Sequence, residues 1–401
     1  MTTSTSRIGI SLVGAKGGVA TTAIVGLTAL QNGWIPSVGL VSDLPAFRGI
    51  GLPDWNRFVV AGHEIRRVAL LDEAMALAGD NRIIGRDLIE RCRDALDAID
   101  RRIRPGTLWN VGPTIESLAD WDVPRRETPR QIIARLRTDF AEFIATEQLE
   151  HLIVANVAST EPPVSGDAIP AAWADMDRIL DDPNCPLPAS TLYAIAALGA
   201  GHSYLNFTPS LGSAPAAIDE LAEANRARHY GCDGKTGETL MKSVLAPMFA
   251  ARNLQVRSWV GHNIFGNRDG LVLDDPSNKQ AKVASKDHLI GDILGYRPHT
   301  LVSIEYLPDL GDWKTAWDHI HFAGFLGTPM TLQFTWQGCD SILAAPLLLD
   351  LARFTALARE RGETGMMTFL ASFFKSPYGV VEHSFERQYQ MLESWAARRG
   401  D

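Results

Sequence analysis

Lysine is used sparingly in this chain, and mostly in one region. Lys and Arg together number 38, yet only eight are lysine: Lys16, Lys235, Lys242, Lys279, Lys282, Lys286, Lys314 and Lys375, seven of them at or after Lys235. An ammonium is a compact charge whose pKa falls on burial, so it can pass protons, whereas a guanidinium stays charged. Drift in residue usage would also cluster lysines, so the neighbouring residues decide. Three segments set polar groups in apolar surroundings. They are Gly231-Cys-Asp233-Gly-Lys235-Thr236-Gly237, the stretch from Ser258 through Asn263, Asn267 and Asp269 to Lys282 and Lys286, and Gly311-Asp312-Trp-Lys314. Lys282 and Lys286 stand at i and i+4 and would share one face of a helix, where two ammonium groups repel unless an anion lies between them. That makes them a candidate phosphate or oxyanion site, although two solvated lysines give the same spacing. Asp312 is expected to orient Lys314. The Gly234-Lys-Thr-Gly237 sequence does not read as a Walker A loop, since it lacks the upstream glycine and is expected to follow a helix rather than a strand.

These groups need a scaffold. Arg7 to Gly14 reads as a short buried strand, followed by the turn Gly14-Ala-Lys-Gly17-Gly18 and a helix from Val19 to Gln31. Strand, glycine-rich turn and helix open a dinucleotide-binding unit, in which free N–H groups at the helix start receive a pyrophosphate. The spacing departs from G-x-G-x-x-G, and a plain tight turn would read alike. Residues 33–56, rich in Gly, Pro and Trp, read as an irregular insertion. Arg57 to Glu64 reads as a second strand ending in an acid, placed to bind ribose hydroxyls or to cap the next helix. Helices are expected over 82–102, 128–147 and 214–228, with buried strands over 151–157 and 191–197, the alternation of a parallel sheet. From Gln255 strand-like stretches (255–260, 300–307, 331–336) suggest an α+β unit, and helices resume over 342–359 and 382–398.

The chain is 46% hydrophobic and 21% charged, ordinary for a soluble globular protein, and its 401 residues suffice for two structural units. A net charge of -9 argues against nucleic-acid or membrane-surface binding. No apolar run reads as long enough to span a bilayer, and Met1 to Arg7 does not read as a secretory signal. Cys92, Cys185, Cys232 and Cys339 form no C-x-x-C pair, which suits a reducing cytoplasm.

Read together, several segments resemble the myo-inositol-1-phosphate synthase family. They are Ser203-Tyr-Leu-Asn206-Phe-Thr-Pro209, Asp233 to Lys242, Asn263-Ile-Phe-Gly-Asn267-Arg-Asp269-Gly270, Pro276 through Lys282 to Lys286, Gly311 to Lys314, Asp340 to Pro346 and Phe373-Phe-Lys375-Ser-Pro377. The resemblance implies an α/β fold: a Rossmann dinucleotide-binding domain of residues 1–239, completed by 341–401, with an inserted α+β catalytic and oligomerisation domain at 240–340. It implies NAD-dependent, redox-neutral cyclisation of D-glucose 6-phosphate to 1D-myo-inositol 3-phosphate by a cytoplasmic homotetramer; the alternatives on the same fold are an NAD-dependent dehydrogenase of a phosphorylated sugar or polyol and a non-enzymatic nucleotide-binding protein. A divalent or monovalent cation near Asp269 is a further expectation, its identity open. By the same resemblance Lys282, Lys286, Lys314 and Lys375 are the active-site lysines, with Asp233 and Asp312 beside them. Asn263, Asn267, Asp269, Lys282 and Lys375 are expected on the substrate. Gly14, Lys16, Gly17, Gly18, Val19, Glu64, Ser159, Thr160, Asn206, Asp233 and Asp340 are expected on the cofactor. The turn departs from the family's asparagine-bearing form, so Lys16 is expected to reach a phosphate, and Arg268 stands where many relatives have Asn.

Overall fold

Alternate residues of the first strand, β1 (Arg7–Val13), serve two different layers. Ile8, Ile10 and Leu12 join one hydrophobic core and Val13 joins the other, while in β4 (Leu149–Asn156) Ile153 and Ala155 face the first core and Leu152 and Val154 the second. Side chains alternate across a strand, so a sheet apolar at every position must be covered on both faces. The computed structural model, which describes residues 6–79, 83–267, 270 and 289–398, shows that sandwich.

The larger sheet has seven parallel strands in the order β11-β6-β5-β4-β1-β2-β3, where β2 is Phe58–Glu64, β3 Ile103–Pro105, β5 Ser203–Asn206, β6 Arg228–Tyr230 and β11 Gly365–Met366. On one face lie α1 (Gly18–Gln31), α2 (Leu70–Gly79) and α3 (Arg86–Asp100). After the short α4 (Pro113–Ser117) comes α5 (Pro129–Glu147), which covers the other face with α6 (Trp173–Arg178), α7 (Ala189–Leu198) and α8 (Ala216–Ala224). A capping box starts α5: the Gln131 N–H donates to Thr128 Oγ1 at 3.3 Å and the Thr128 N–H to Gln131 Oε1 at 2.9 Å. The chain order reverses between β1 and β4, which opens a crevice at the carboxyl ends of those strands.

The stretch 191–197, expected as a strand, is instead α7. All ten residues of that helix are buried, so its sequence has no polar face to betray a helical period, and the strand beside β4 is the later Ser203–Asn206.

The second sheet runs β10-β9-β7-β8, with β7 (Gln255–Phe265), β8 (His299–Tyr306), β9 (Trp313–Ala323) and β10 (Pro329–Cys339). Its inner face packs Val256, Trp259 and Ile320 on Ala246 and Phe249 of α9 (Gly237–Ala251). Lys314 sits on the same inner side of β9 as Asp318 and Ile320, because residues two apart share a face.

From β10 the chain returns to the larger domain as α10 (Asp340–Glu360), packed on α1, and ends in α11 (Phe385–Ala397). By length and composition α10 could cross a bilayer, contrary to the expectation from the sequence, but 72% of that apolar stretch is buried inside the protein. It also holds the 33–56 insertion. Asp350 accepts from the Val41 and Ser42 N–H groups at 2.7 and 3.0 Å, and Arg353 donates to Ser42 Oγ and Pro53 O and pairs with Asp43.

Candidate active site

A cleft of about 410 Å³ lies over the carboxyl ends of β1, β2 and β4 and is closed from the far side by the second sheet and the start of α10. Its first wall is the glycine turn. The Gly14 and Ala15 N–H groups donate to His63 O at 3.0 and 3.1 Å, and that of Gly17 to Gly14 O at 3.0 Å. Gly14 has φ +80, and a Cβ there would come within 2.7 Å of Ala158. Helix α1 then opens at Gly18 with no side-chain cap and no acid of its own in the first turn, and its N-terminal end faces the cleft. A Cβ on Gly18 would come within 2.6 Å of Ser341 Oγ, so the starts of α1 and α10 meet there.

Gly14, Gly17, Gly18, Val19, Glu64, Ser159, Thr160 and Asp340 all line this cleft. Glu64, at the end of β2, is buried; its carboxylate accepts from the Lys16 and Ile65 N–H groups at 2.9 and 2.8 Å. Two expectations for the cofactor side are corrected. The Lys16 ammonium does not face the cleft: it donates to Val68 O at 2.7 Å and pairs with Asp100 at 2.8 Å, because the turn directs the long side chain into the body of the domain. Asn206 is fully buried behind the wall. Its Nδ2 donates to Ser210 O, and its Oδ1 accepts from Asn156 and Thr208, so the amide organises the 206–212 loop.

The far side carries the charges. Asp233, at φ +62, accepts from the Lys375 ammonium at 2.9 Å, and Lys375 N–H donates to Asp233 O at 2.7 Å. The Lys314 ammonium lies 3.6 Å from Asp340 and 4.9 Å from the centroid of the Phe265 ring. The expectation that Asp312 orients Lys314 is corrected by this pairing. Asp312 serves the frame: it accepts from Asn267 Nδ2 at 3.0 Å, from the Cys339 thiol at 2.7 Å and from the Ser341 N–H at 2.9 Å in the first turn of α10. Burial, then the charge of Asp312, push the Cys339 thiol up, so it remains a donor.

Asn267 lines the cleft and Asn263 does not. Asn263 is fully buried in β7, its Nδ2 directed to Ser303 O at 3.4 Å, so its expected contact with substrate is corrected to a place in the sheet. Lys282, Lys286, Arg268 and Asp269 lie outside the described residues. Among the described residues no group of three or more His, Cys, Asp or Glu side chains could hold a metal ion.

Sequence reasoning missed Glu161. Its carboxylate lines the cleft and accepts from Ser190 N–H at 2.8 Å and Ser190 Oγ at 2.5 Å; burial pushes it up to about 7 against those hydrogen bonds. Its position directly after Ser159 and Thr160 was the available signal. Lys235 stands outside the cleft: its ammonium donates to Gln388 Oε1, and burial pulls it down to about 7.

Parallel sheet, glycine turn, uncapped helix and strand-end acid define a protein of Rossmann-type fold, here with a lysine-bearing second sheet closing the cleft. Comparison with known proteins narrows the class. The family model for myo-inositol-1-phosphate synthase matches residues 237–341. Inositol-3-phosphate synthase 1 of Bacteroides thetaiotaomicron is 33% identical over 98% of this chain and 94% of its own length. The human inositol-3-phosphate synthase 1 is 33% identical over 57% of this chain and 42% of its own. Among solved structures, inositol-3-phosphate synthase from Caenorhabditis elegans superposes with a TM-score of 0.88 at 22% identity, covering 98% of this chain and 86% of that one. The chain belongs to the myo-inositol-1-phosphate synthase family, whose members are also named inositol-3-phosphate synthases.

Proposed function

We propose that this chain is an NAD-dependent, redox-neutral cyclase that converts D-glucose 6-phosphate into 1D-myo-inositol 3-phosphate. The observation that carries the reading is one arrangement. Two lysine–aspartate pairs, Lys375 with Asp233 and Lys314 with Asp340, share a cleft with the uncapped start of α1. The residues fit a dinucleotide. The α1 N-terminus and the Gly14–Gly18 turn suit its pyrophosphate, Glu64 a ribose, and Ser159 and Thr160 the wall between them. Bound NAD would supply a hydride acceptor at C5 of the sugar and return the hydride to that carbon, so that none is consumed.

The chain's own groups then hold charge and move protons. Lys375 is fixed by two bonds to Asp233, which holds its ammonium in the cleft to meet a phosphate or a developing oxyanion. Lys314 is held more loosely, which lets its ammonium reach a sugar oxygen and exchange a proton with it. Loss of a proton at C6 and attack on the C1 aldehyde place negative charge on two oxygens in turn, and each needs a cation nearby. By family resemblance Lys282 and Lys286 complete that set, Lys282 with Lys314 at the reacting carbons and Lys286 with Lys375 at the phosphate.

The protein works as a homotetramer in the cytoplasm. The outer face of the second sheet supports the assembly: Trp317 is stacked on His262, Trp313 and Leu301 are exposed beside it, and Phe325 and Leu326 stand 89% and 86% exposed at the β9–β10 turn. Four free thiols suit a reducing compartment.

Glucose 6-phosphate deuterated at C5 tests the proposal. The expected product is an inositol phosphate that keeps the label on the same carbon, read by mass spectrometry and NMR. Absence of inositol phosphate, or product stripped of the label, contradicts it. Reduced cofactor formed in step with an oxidised sugar phosphate would mark a plain dehydrogenase.

A further inference from the structure

The acid that ends β2 does not stand alone. Arg66 follows it at i+2, and its guanidinium is held on three sides: Nη1 donates to Glu73 Oε1 at 2.9 Å, and Nη2 donates to Lys16 O at 2.6 Å and lies 3.4 Å from Glu64 Oε2. Glu73 comes from the first turn of α2, where the helix dipole favours a carboxylate. Glu64, Arg66 and Glu73 all line the cleft, with side chains 4%, 13% and 12% exposed. In dinucleotide-binding folds an acid at this place takes the ribose hydroxyls, and an arginine beside it is what accommodates a 2′-phosphate. Both parts are present here, and the arginine is already engaged.

We propose that Glu73 is a cofactor-specificity residue: by pairing with Arg66 it withholds that guanidinium from a 2′-phosphate and so sets the preference for NAD over NADP. The inference rests on the cofactor reading above. Two carboxylates already bracket this guanidinium, and a 2′-phosphate would bring roughly two more negative charges beside them. Glu64 alone would disfavour the phosphate, but with Arg66 free the balance at the ribose would be neutral and would offer a planar donor fork. Glu73 therefore completes the rejection without touching the dinucleotide. The arginine is a latent 2′-phosphate site that one carboxylate keeps closed.

Dissociation constants for NAD and NADP, measured by titration calorimetry, test this in the parent, Glu73→Gln, Glu73→Ala and the double variant Glu73→Gln/Arg66→Gln. The parent should prefer NAD. Both single variants should shift the NADP-to-NAD affinity ratio toward NADP by about tenfold or more, the scale of one charge-assisted phosphate contact. The double variant should lose that gain. An unchanged ratio in the single variants overturns the assignment, as does a gain that survives removal of Arg66. Loss of NAD binding in both single variants would make Glu73 a structural support and overturn its specificity role. A parent that binds neither dinucleotide overturns the cofactor reading itself, a result distinct from the others.

Discussion

Lys375 and Asp233 are joined twice, by an ion pair of 2.9 Å between side chains and by a backbone hydrogen bond of 2.7 Å, across 142 residues of sequence. The neighbouring residues lock the same register, since Gly234 bridges Phe374 and Lys235 N–H donates to Phe373 O. The C-terminal segment thus delivers a lysine to the cleft at a fixed position.

Asp233→Asn should therefore separate charge from shape. Asn tolerates the left-handed backbone at this position, so the loop should survive while Lys375 loses its counter-ion. Turnover should fall by about a hundredfold, the scale of misplaced electrostatic stabilisation, with the melting temperature nearly unchanged. Near-normal turnover would show that the pair only ties the loop.

Lys314→Arg keeps the charge but is larger and does not give up a proton. Turnover should drop by about a hundredfold or more with NAD affinity retained, because the glycine turn follows β1 of the larger sheet whereas Lys314 lies on β9 of the second. Steady-state kinetics beside a direct NAD titration read this. Full activity would mean that Lys314 supplies only positive charge.

Gly18→Ala should weaken NAD binding by about tenfold, since its Cβ would sit 2.6 Å from Ser341 Oγ and push the starts of α1 and α10 apart. Adding Ser341→Gly removes the obstructing hydroxyl and should restore most of the affinity. A double variant no better than Gly18→Ala would place the defect elsewhere.

Glu161 predicts a pH dependence of stability. Burial raises it from an ordinary 4.5 to about 7, so the folded form holds its proton more tightly than the unfolded chain does. Its contribution is complete below about pH 4.5, is lost as the pH rises to about 7, and is constant above that, a change on the order of 3 kcal/mol. Glu161→Gln should flatten denaturant-measured stability across that interval. An unaltered slope would show that the carboxylate ionises freely in the folded protein.

Local signals made part of this protein legible in its sequence. The β1–turn–α1 opening could be read because a buried strand, three glycines and an apolar helix follow one another without a break. Glu64 was legible as the acid closing the next strand. Where burial is total the pattern disappears: α7 has no polar face, and its apolar run resembles a strand. Pairings between distant segments left no trace either. Lys314 meets Asp340 rather than the nearby Asp312 because β9 and β10 are antiparallel neighbours that bring position 314 level with Gly338, beside the start of α10. The place of Lys16 and Asn206 in their motifs suggests ligands, but the geometry turns both side chains into the domain.

A cleft that runs a redox-neutral cyclisation regenerates its dinucleotide within each turnover. The most direct test gives the purified protein excess glucose 6-phosphate with a trace of NAD, and follows inositol phosphate and reduced-nicotinamide absorbance together. Many moles of inositol phosphate should form per mole of NAD, with no steady rise in absorbance. Reduced cofactor accumulating in proportion to product, or product formation ceasing after one equivalent of NAD, would contradict it.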